Sequence, residues 1–441
     1  MGTWRPRVSS AAAGAQMRFA PVNFGRWLTW GLTIALFAVM PLIFTSGFAL
    51  TLLSQMGVMI ILTLSYNVIF GQGGMLSFGH AVYAGLGGFF AIHAINLVSH
   101  QALPLPISLI PLVGGVFGAL FGVIFGYVTT KRAGTTFAMI SLGIGEMVFA
   151  AALMFPGFFG GEGGITANRV VGKPFLGISY GPSIQVYYLI VFWCVISMVG
   201  MYAFSSTPLG RISNAVRDNP ERAEFIGYNT QRVRFLVLVV SAFFAGIAGG
   251  LSAIMFEIVS AENVSAVRSG GMLLATFIGG ASFFFGPILG AIIFIFFAVA
   301  LSDFTSAWLF YLGAFFVIIV MYSPGGVAAL VLMNLRVFKY GLFGRLRDPY
   351  LGVLLTGAVL LLGVVMVVEM SYHLSLNVAA GSTMKFMGFT IDTWSRDSWT
   401  LAIGMLVAGA VAFEVMRRRF VLEWSAVQEL IEAAAEREVM V

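Results

Sequence analysis

The feature that most constrains the fold is a succession of apolar stretches, most of them long enough to cross a lipid bilayer as a helix. A transmembrane helix needs about 20 apolar residues, and the chain offers twelve apolar stretches, of which 271–285 and 287–302 are short. They lie near 28–48, 49–70, 80–98, 104–129, 134–155, 184–204, 234–254, 271–285, 287–302, 306–322, 350–369 and 398–416. Only 10% of the residues are charged, against roughly 25% in soluble domains. The sequence therefore predicts an all-α, polytopic transmembrane helical bundle of about ten core helices plus two C-terminal helices.

The basic residues indicate how this bundle is oriented. Of the 24 Lys and Arg residues, 19 fall on the side of the N-terminus and five on the other side, if each stretch crosses once. Because cytoplasmic loops carry the excess of Lys and Arg, both termini are predicted to be cytoplasmic. This topology requires 271–302 to divide into two short helices near Gly286-Pro287. The basic residues alternate with apolar spans, so the net charge of +6 indicates a lipid bilayer and no nucleic acid as partner.

Glycine-rich interruptions separate two pairs of neighbouring spans. One, at 71–80, contains polar side chains, and the other runs from Gly279-Gly280 to Gly286-Pro287. Each is either a tight turn or a discontinuous helix that lines a pathway, because irregular backbone at membrane depth persists only where it faces protein or water. Glu146 lies inside an apolar stretch, where an ionisable group either lines a pathway or makes a structural hydrogen bond. The candidate pathway residues are Gln72, Ser77, His80, Glu146, Gly279 and Gly280.

Small residues recur every four positions in two of the stretches. They are Gly114, Gly118, Gly122 and Gly126 in one, and Ala242, Gly246 and Gly250 in the other. This spacing lets helix backbones approach closely. It predicts tight packing, either within the chain or against another subunit.

The usual signatures of an enzyme are missing from the sequence. Its single cysteine, Cys194, and its four His show no metal-ligand spacing, so no metal site is expected. Gly172-Lys173 is followed by Pro174, which does not fit a phosphate-binding loop. The chain is therefore expected to bind no cofactor and not to hydrolyse ATP itself.

The connection at 206–234 is the longest on the predicted cytoplasmic side and carries the signals of a short folded helix. Asp218 or Asn219 can cap it, and Pro220 suits its first position. Gly227 can end it. Such a helix is either a surface anchor that lies along the membrane or a contact for a partner.

Four sequence blocks, in the same order, carry a family resemblance. Glu221-Arg222-Ala223 followed by Gly227 resembles the E-A-A-x-x-x-G core of the coupling loop in ABC importer permeases, with Arg in place of the first Ala. The runs 64–80, 214–229, 241–250 and 279–290 are similar to the LivM type of branched-chain amino acid permease. The resemblance covers about residues 28–335.

The resemblance implies a permease subunit of an ABC importer, which forms half of a pathway for branched-chain or related small amino acids in the bacterial inner membrane. Its implied partners are a LivH-like second permease, two LivG/LivF-like ATPase subunits that hydrolyse ATP, and an extracytoplasmic solute-binding protein. The helix at 219–227 is implied to enter a groove of the ATPase dimer, with Arg217, Arg222 and Glu224 as polar contacts and Phe225 and Ile226 as the apolar anchor. The implied coupling residues are Arg217, Asn219, Pro220, Glu221, Arg222, Ala223, Glu224, Phe225, Ile226 and Gly227.

The expected organisation has three parts. Residues 1–27 form a cytoplasmic tail, 28–335 the permease domain with its coupling loop at 206–234, and 336–441 an extension that such permeases usually lack. In that extension Val427, Leu430, Ile431 and Ala434 share one helical face, which predicts an amphipathic helix that docks on a partner. Three alternatives remain: a self-contained secondary transporter or channel that uses Glu146 or His80 for ion coupling, the same importer type moving urea or amides, and a membrane scaffold.

Overall fold

The computed structural model describes residues 24–170, 178–376, 381–386 and 388–440. Most of the expected N-terminal tail thus lies outside the described residues. Helices dominate the part that is described, because long apolar runs satisfy their backbone hydrogen bonds internally. The helices are α1 (Phe24–Ile43), α2 (Gly47–Asn67), α3 (Ala81–Ser99), α4 (Ile110–Thr129), α5 (Thr135–Met154), α6 (Pro156–Phe159), α7 (Ser183–Ser206), α8 (Pro208–Asp218), α9 (Pro220–Phe225), α10 (Thr230–Phe256), α11 (Ala266–Gly279), α12 (Gly286–Ile295), α13 (Trp308–Tyr322), α14 (Gly326–Lys339), α15 (Phe343–Leu376) and α16 (Arg396–Met440).

Two short antiparallel ribbons accompany the helices. β1 (Ile165–Thr166) pairs with β2 (Ile258–Val259), and β3 (Thr383–Phe386) pairs with β4 (Phe389–Asp392). The first ribbon joins the connection after α6 to the end of α10. The second lies in the connection between α15 and α16.

The all-helical, polytopic fold predicted from the sequence is confirmed. Within the described residues, eight helices are long and apolar enough to cross a bilayer, and α13 with α14, bent by 54° at their junction, make a ninth candidate. Three apolar helices are shorter: Trp30–Ile43, Ala266–Gly279 and Gly286–Leu301. Twelve crossings were expected, with 271–302 divided into two short helices, and the structure has that division as α11 and α12. The apolar helix Trp30–Ile43 is also shorter than the span expected at 28–48.

The described residues divide into two compact units, 24–46 and 47–440. The first contributes the apolar helix α1, which carries Pro41 in its interior. The second holds all the other elements described below.

The core of the second unit is built on α2, α3 and α10. The most apolar windows of α3 and α10 are 78% and 72% buried inside the chain. A helix that is apolar all round and surrounded by other helices has protein rather than lipid as its neighbour. These helices therefore form the scaffold against which the others pack.

The small-residue stripes of α4 and α10 pack against each other. A Cβ added at Gly118 would lie 2.8 Å from Gly246 Cα, which is closer than real Cβ contacts allow. The close approach that the spacing predicted is therefore made within the chain.

The C-terminal extension forms a helical hairpin whose tail returns to its own chain. Glu369 of α15 accepts hydrogen bonds from Thr305 Oγ1 at 2.6 Å and Tyr311 Oη at 2.8 Å, which tie the hairpin to α13 and the loop before it. At the far end of α16, Val427 and Ile431 are buried against Val337 of α14 and Leu346 of α15. These four residues form one hydrophobic cluster. The amphipathic face therefore packs on α14 and α15, although Leu430 remains exposed; the side chain of Ala434 is outside the described ones.

The start of the extension differs from its expected form. Residues 326–339 form the helix α14, and α15 begins at Phe343 rather than near 350. The turn before α14 depends on Gly326, whose φ of +70° favours glycine. The apolar residues of 326–335 were too few to be recognised as a span.

Candidate functional site

The connection between α7 and α10 folds into two short helices, each with an N-cap. Thr207 Oγ1 accepts a hydrogen bond from the Gly210 N–H at 3.2 Å at the start of α8. Asn219 Oδ1 accepts one from the Arg222 N–H at 2.9 Å at the start of α9. Pro220 occupies the first position of α9, and Gly227 ends it with a φ of +93°. The short helix predicted at 219–227 is therefore present, and Asn219 rather than Asp218 is its cap.

The C-terminal end of α9 presents two large apolar side chains to the surroundings. Phe225 is 90% exposed and Ile226 is 67% exposed. Burial of a Phe or Ile side chain stabilises an interface by about 1.5–3 kcal/mol. The connecting segment is otherwise largely polar, so this exposed pair forms a small apolar surface that is suited to contact with another protein.

Some of the other predicted coupling residues are exposed, and others pack or hydrogen-bond within the chain. Glu221 and Arg222 are exposed, and Ala223 is buried. Glu224 accepts a hydrogen bond from Thr230 Oγ1 at 2.7 Å, which joins α9 to the first turn of α10. The helix is thus fixed on its α10 side and open on the opposite side.

Helix α8 contacts the first glycine-rich interruption, residues 71–80, which is called the first break below. The Arg217 guanidinium donates a hydrogen bond to the Gly71 carbonyl and forms an ion pair of 2.9 Å with Asp218. Ser213 Oγ donates to the Gln72 carbonyl at 3.3 Å. A Cβ at Gly74 would lie 2.6 Å from Arg217 Cγ, so glycine is required for this approach. Arg217, expected to contact an ATPase, thus also joins α8 to the first break.

The first break is an irregular connection between α2 and α3 that is shielded by protein. After α2 the chain makes a π turn at Val68–Gln72 and then runs irregularly until α3. Its polar groups bond to neighbouring helices: Tyr66 Oη donates to the Ser77 carbonyl at 3.0 Å, and Ser141 Oγ accepts from the Phe78 N–H at 3.1 Å. His80 Nε2 lies 3.0 Å from Ser65 Oγ. Backbone freed from a helix is tolerated at membrane depth only with such partners.

Residues 280–285, called the second break below, lie against the first. A Cβ at Gly71 would lie 2.5 Å from the Ala281 carbonyl oxygen. Thr63 Oγ1 of α2 donates to the Pro287 carbonyl at 3.1 Å, just beyond the second break. Gly280 has a φ of +105°, and a Cβ at Gly326 would lie 2.5 Å from Gly280 Cα. The two breaks and the turn before α14 therefore form one closely packed junction.

Five of the six predicted pathway residues lie at this junction. Ser77 and His80 are fully buried in the first break. Gly279 directly precedes the second break, and Gly280 is its first residue. Gln72 Oε1 and His80 Nδ1 are buried and find no hydrogen-bond partner among the residues that the structure describes. The sixth residue, Glu146, is elsewhere, on an exposed face of α5.

A cavity of about 560 Å³ lies between α2, α5, α10, α11 and α12, and none of the predicted pathway residues lines it. Its polar lining includes Gln55, Glu262 and Arg268. In the sequence analysis Arg268 contributes only to the count of basic residues on the side opposite the N-terminus. The sequence does place Glu262 and Arg268 close together at the start of an apolar run. That spacing alone does not predict that the two side chains line a cavity.

Comparison with known proteins gives one family and several relatives. The family model described as "Branched-chain amino acid transport system / permease component" matches residues 48–322. The LivM permease protein of the high-affinity branched-chain amino acid transport system of Escherichia coli is 26% identical over 303 residues, which cover 63% of this chain and 69% of the relative. LivM of Salmonella typhimurium is 27% identical over 300 residues, with the same two coverages.

A more distant relative belongs to the second type of permease. The probable branched-chain amino acid transport permease protein LivH of Methanocaldococcus jannaschii is 24% identical over 244 residues, which cover 53% of this chain and 74% of the relative. No solved structure matches the chain. The matched region includes α8, α9 and both breaks.

Proposed function

The chain belongs to the family of branched-chain amino acid transport system permease components, and from that premise we propose that it is the permease subunit of an ABC importer. It forms half of the pathway by which branched-chain or related small amino acids enter the cell. The observation that carries this proposal is a matched family region that includes a capped helix with an exposed Phe225-Ile226 pair. Helix α8 joins this helix to the first break, against which the second break packs.

The proposed assembly contains a LivH-like second permease, two LivG/LivF-like ATPase subunits that hydrolyse ATP, and an extracytoplasmic solute-binding protein. The similarity to both LivM and LivH proteins supports a pair of related permease halves. Glu146 supports the presence of a partner subunit or a water-filled pathway beside α5. An exposed carboxylate on an apolar helix is costly against lipid and is better accommodated by protein or water. We place the complex in the bacterial inner membrane with both termini cytoplasmic, following the excess of Lys and Arg on that side.

The proposed mechanism is a mechanical coupling. Closure of the ATPase dimer on ATP displaces α9, whose Phe225 and Ile226 are buried in the groove between the ATPase subunits. Because α8 is hydrogen-bonded to the carbonyls of Gly71 and Gln72, the displacement reaches the first break. The second break packs on the first and moves with it, so the helices that continue from both breaks reorient together.

The test is co-purification of the tagged chain with its ATPase subunits from native membranes. Phe225→Asp places a charge in the proposed groove and should abolish recovery of the ATPases, because it removes about 1.5–3 kcal/mol of apolar burial and adds a desolvated charge. Phe304→Asp is the matched control, since Phe304 is 87% exposed but lies in the loop between α12 and α13. It should leave recovery unchanged.

Two results would contradict the proposal. One is recovery of the ATPases with Phe225→Asp at the level of Phe304→Asp. The other is transport of leucine down an ion gradient by the purified chain alone in liposomes, since that is the behaviour of a secondary transporter.

A further inference from the structure

The cavity between α2, α5, α10, α11 and α12 has the size and lining of a small-molecule site. Its volume of about 560 Å³ falls within the roughly 300–1,000 Å³ of typical ligand pockets. Along α2 its lining extends from Gln55 to Leu62, seven residues or about 10 Å of helix. This length suits a ligand with a polar head and a short apolar tail.

The polar groups of the cavity include an opposite pair, Arg268 and Glu262, which attract each other electrostatically but are too far apart to form an ion pair. Arg268, in the first turn of α11, and Glu262, in the 3-10 turn Ala261–Val264, both line it. Neither takes part in the ion pairs found among the described residues, and neither side chain hydrogen-bonds within that part of the chain. The Gln55 amide lines the same cavity and is likewise without a side-chain hydrogen bond there. A positive and a negative group are therefore available to one ligand.

Ser252, Asn263 and Ser265 also line the cavity, and the rest of its wall is apolar and comes from five helices, with Phe256 as the contribution of α10. It includes Val58 and Leu62 of α2, Phe149 of α5, Met272 of α11 and Phe294 of α12. Branched and aromatic side chains with a flexible Met accommodate an aliphatic group of several carbons. The polar and apolar parts together match a zwitterion with an aliphatic side chain.

We propose that this cavity binds the transported amino acid, with the Arg268 guanidinium on its carboxylate, the Glu262 carboxylate on its ammonium group and the aliphatic side chain against Val58, Leu62 and Met272. The guanidinium fork pairs with a carboxylate through two parallel hydrogen bonds. The choice of an amino acid as ligand rests on the proposed function. The permease itself thus recognises the solute during its passage.

The test is equilibrium binding of radiolabelled L-leucine to the purified full-length chain in detergent. Wild type should bind leucine saturably. Leucinol, which lacks the carboxylate, and 4-methylpentanoate, which lacks the ammonium group, should each compete at least about tenfold more weakly than leucine, since each loses a charged hydrogen bond. This comparison needs no variant and is independent of folding effects.

Two substitutions locate the site. Arg268→Gln should weaken leucine binding at least about tenfold, while Arg268→Lys should recover part of it because the charge remains. Arg345→Gln removes an exposed arginine far along the chain in the first turn of α15 and should bind as wild type does. Size-exclusion profiles and melting temperatures, measured beside those of wild type, show whether the three variants are folded.

Three results would overturn the proposal: no saturable binding by wild type, equal competition by leucine and leucinol, or unchanged binding in a folded Arg268→Gln variant. None of them bears on the proposed function, which the co-purification of ATPases decides separately. Conversely, leucine binding without ATPase recovery would retain the site and reject the importer.

Discussion

Replacement of Arg217 by Gln should uncouple α8 from the first break while leaving α9 unchanged. The Arg217 side chain donates to the Gly71 carbonyl and pairs with Asp218, and the shorter, neutral Gln loses both interactions. The cap at Asn219 and the apolar pair Phe225-Ile226 lie beyond the substituted position. We therefore expect the ATPase subunits to bind, but their movement to be transmitted poorly.

The size of the effect follows from the two contacts. A hydrogen bond from a charged donor contributes about 1.5–3 kcal/mol. The lower end applies here, because the Arg217 side chain is 38% exposed. The ion pair with Asp218 is exposed and adds at most about 0.5 kcal/mol. A loss of about 1.5 kcal/mol shifts the equilibrium between docked and undocked α8 by about tenfold.

The assay is leucine uptake per ATP hydrolysed, measured with the assembled complex in proteoliposomes. The ratio should fall by up to about tenfold for Arg217→Gln, with ATPase recovery unchanged. The chain provides a matched control in Arg347→Gln, which removes an ion pair of 3.0 Å between Arg347 and the adjacent Asp348 but no contact with a break. If both variants show the same uptake per ATP, α8 does not transmit movement through Arg217.

Three further substitutions test separate parts of the structure. Asn219→Ala removes the cap of α9 and should destabilise that helix by about 1 kcal/mol, seen as faster amide hydrogen exchange over residues 220–225; unchanged exchange contradicts the role of the cap. Gly118→Ala should lower the melting temperature in detergent, because overpacking of this kind costs about 1–3 kcal/mol, whereas Gly143→Ala, where a Cβ meets nothing within 4 Å, should not. Val427→Asp buries an unpaired charge and should expose the end of α16 to limited proteolysis, whereas Leu422→Asp at an exposed position should leave the cleavage pattern unchanged.

Features set by local sequence could be predicted. The apolar stretches predicted the helices, because a chain in lipid must satisfy its backbone hydrogen bonds internally. Asn219-Pro220 and Gly227 gave the start and end of α9 because capping and positive φ depend on neighbouring residues only. The spacing of Gly118 and its neighbours likewise required a close helix partner, although α10 could not be identified as that partner without the structure.

Features set by distant contacts could not be predicted. The partner of Arg217 is Gly71, 146 positions away in the sequence, and Arg217 could only be grouped with the residues around it. The interior position of Glu146 was inferred from its apolar neighbours, but those neighbours surround every face of α5 and do not reveal which one is exposed. The cavity required α2 and α11 to bring Gln55 and Arg268 to the same space, and neither residue is distinctive in its own segment.

Helix α2 connects the two proposed sites directly. Leu62 lines the cavity, and Gly71, nine residues further along the chain in the π turn that follows α2, accepts the hydrogen bond from Arg217. Between them Thr63 donates to the Pro287 carbonyl, and its own carbonyl accepts from Thr276 Oγ1 at 3.4 Å, so α11 and α12 are attached to the same section of α2. A helix transmits displacement with little loss, because extension or bending must distort its backbone hydrogen bonds. Under the proposed mechanism, movement of α8 would therefore reach three walls of the cavity through one element, and a solute held there would experience the ATPase cycle without a long chain of flexible contacts.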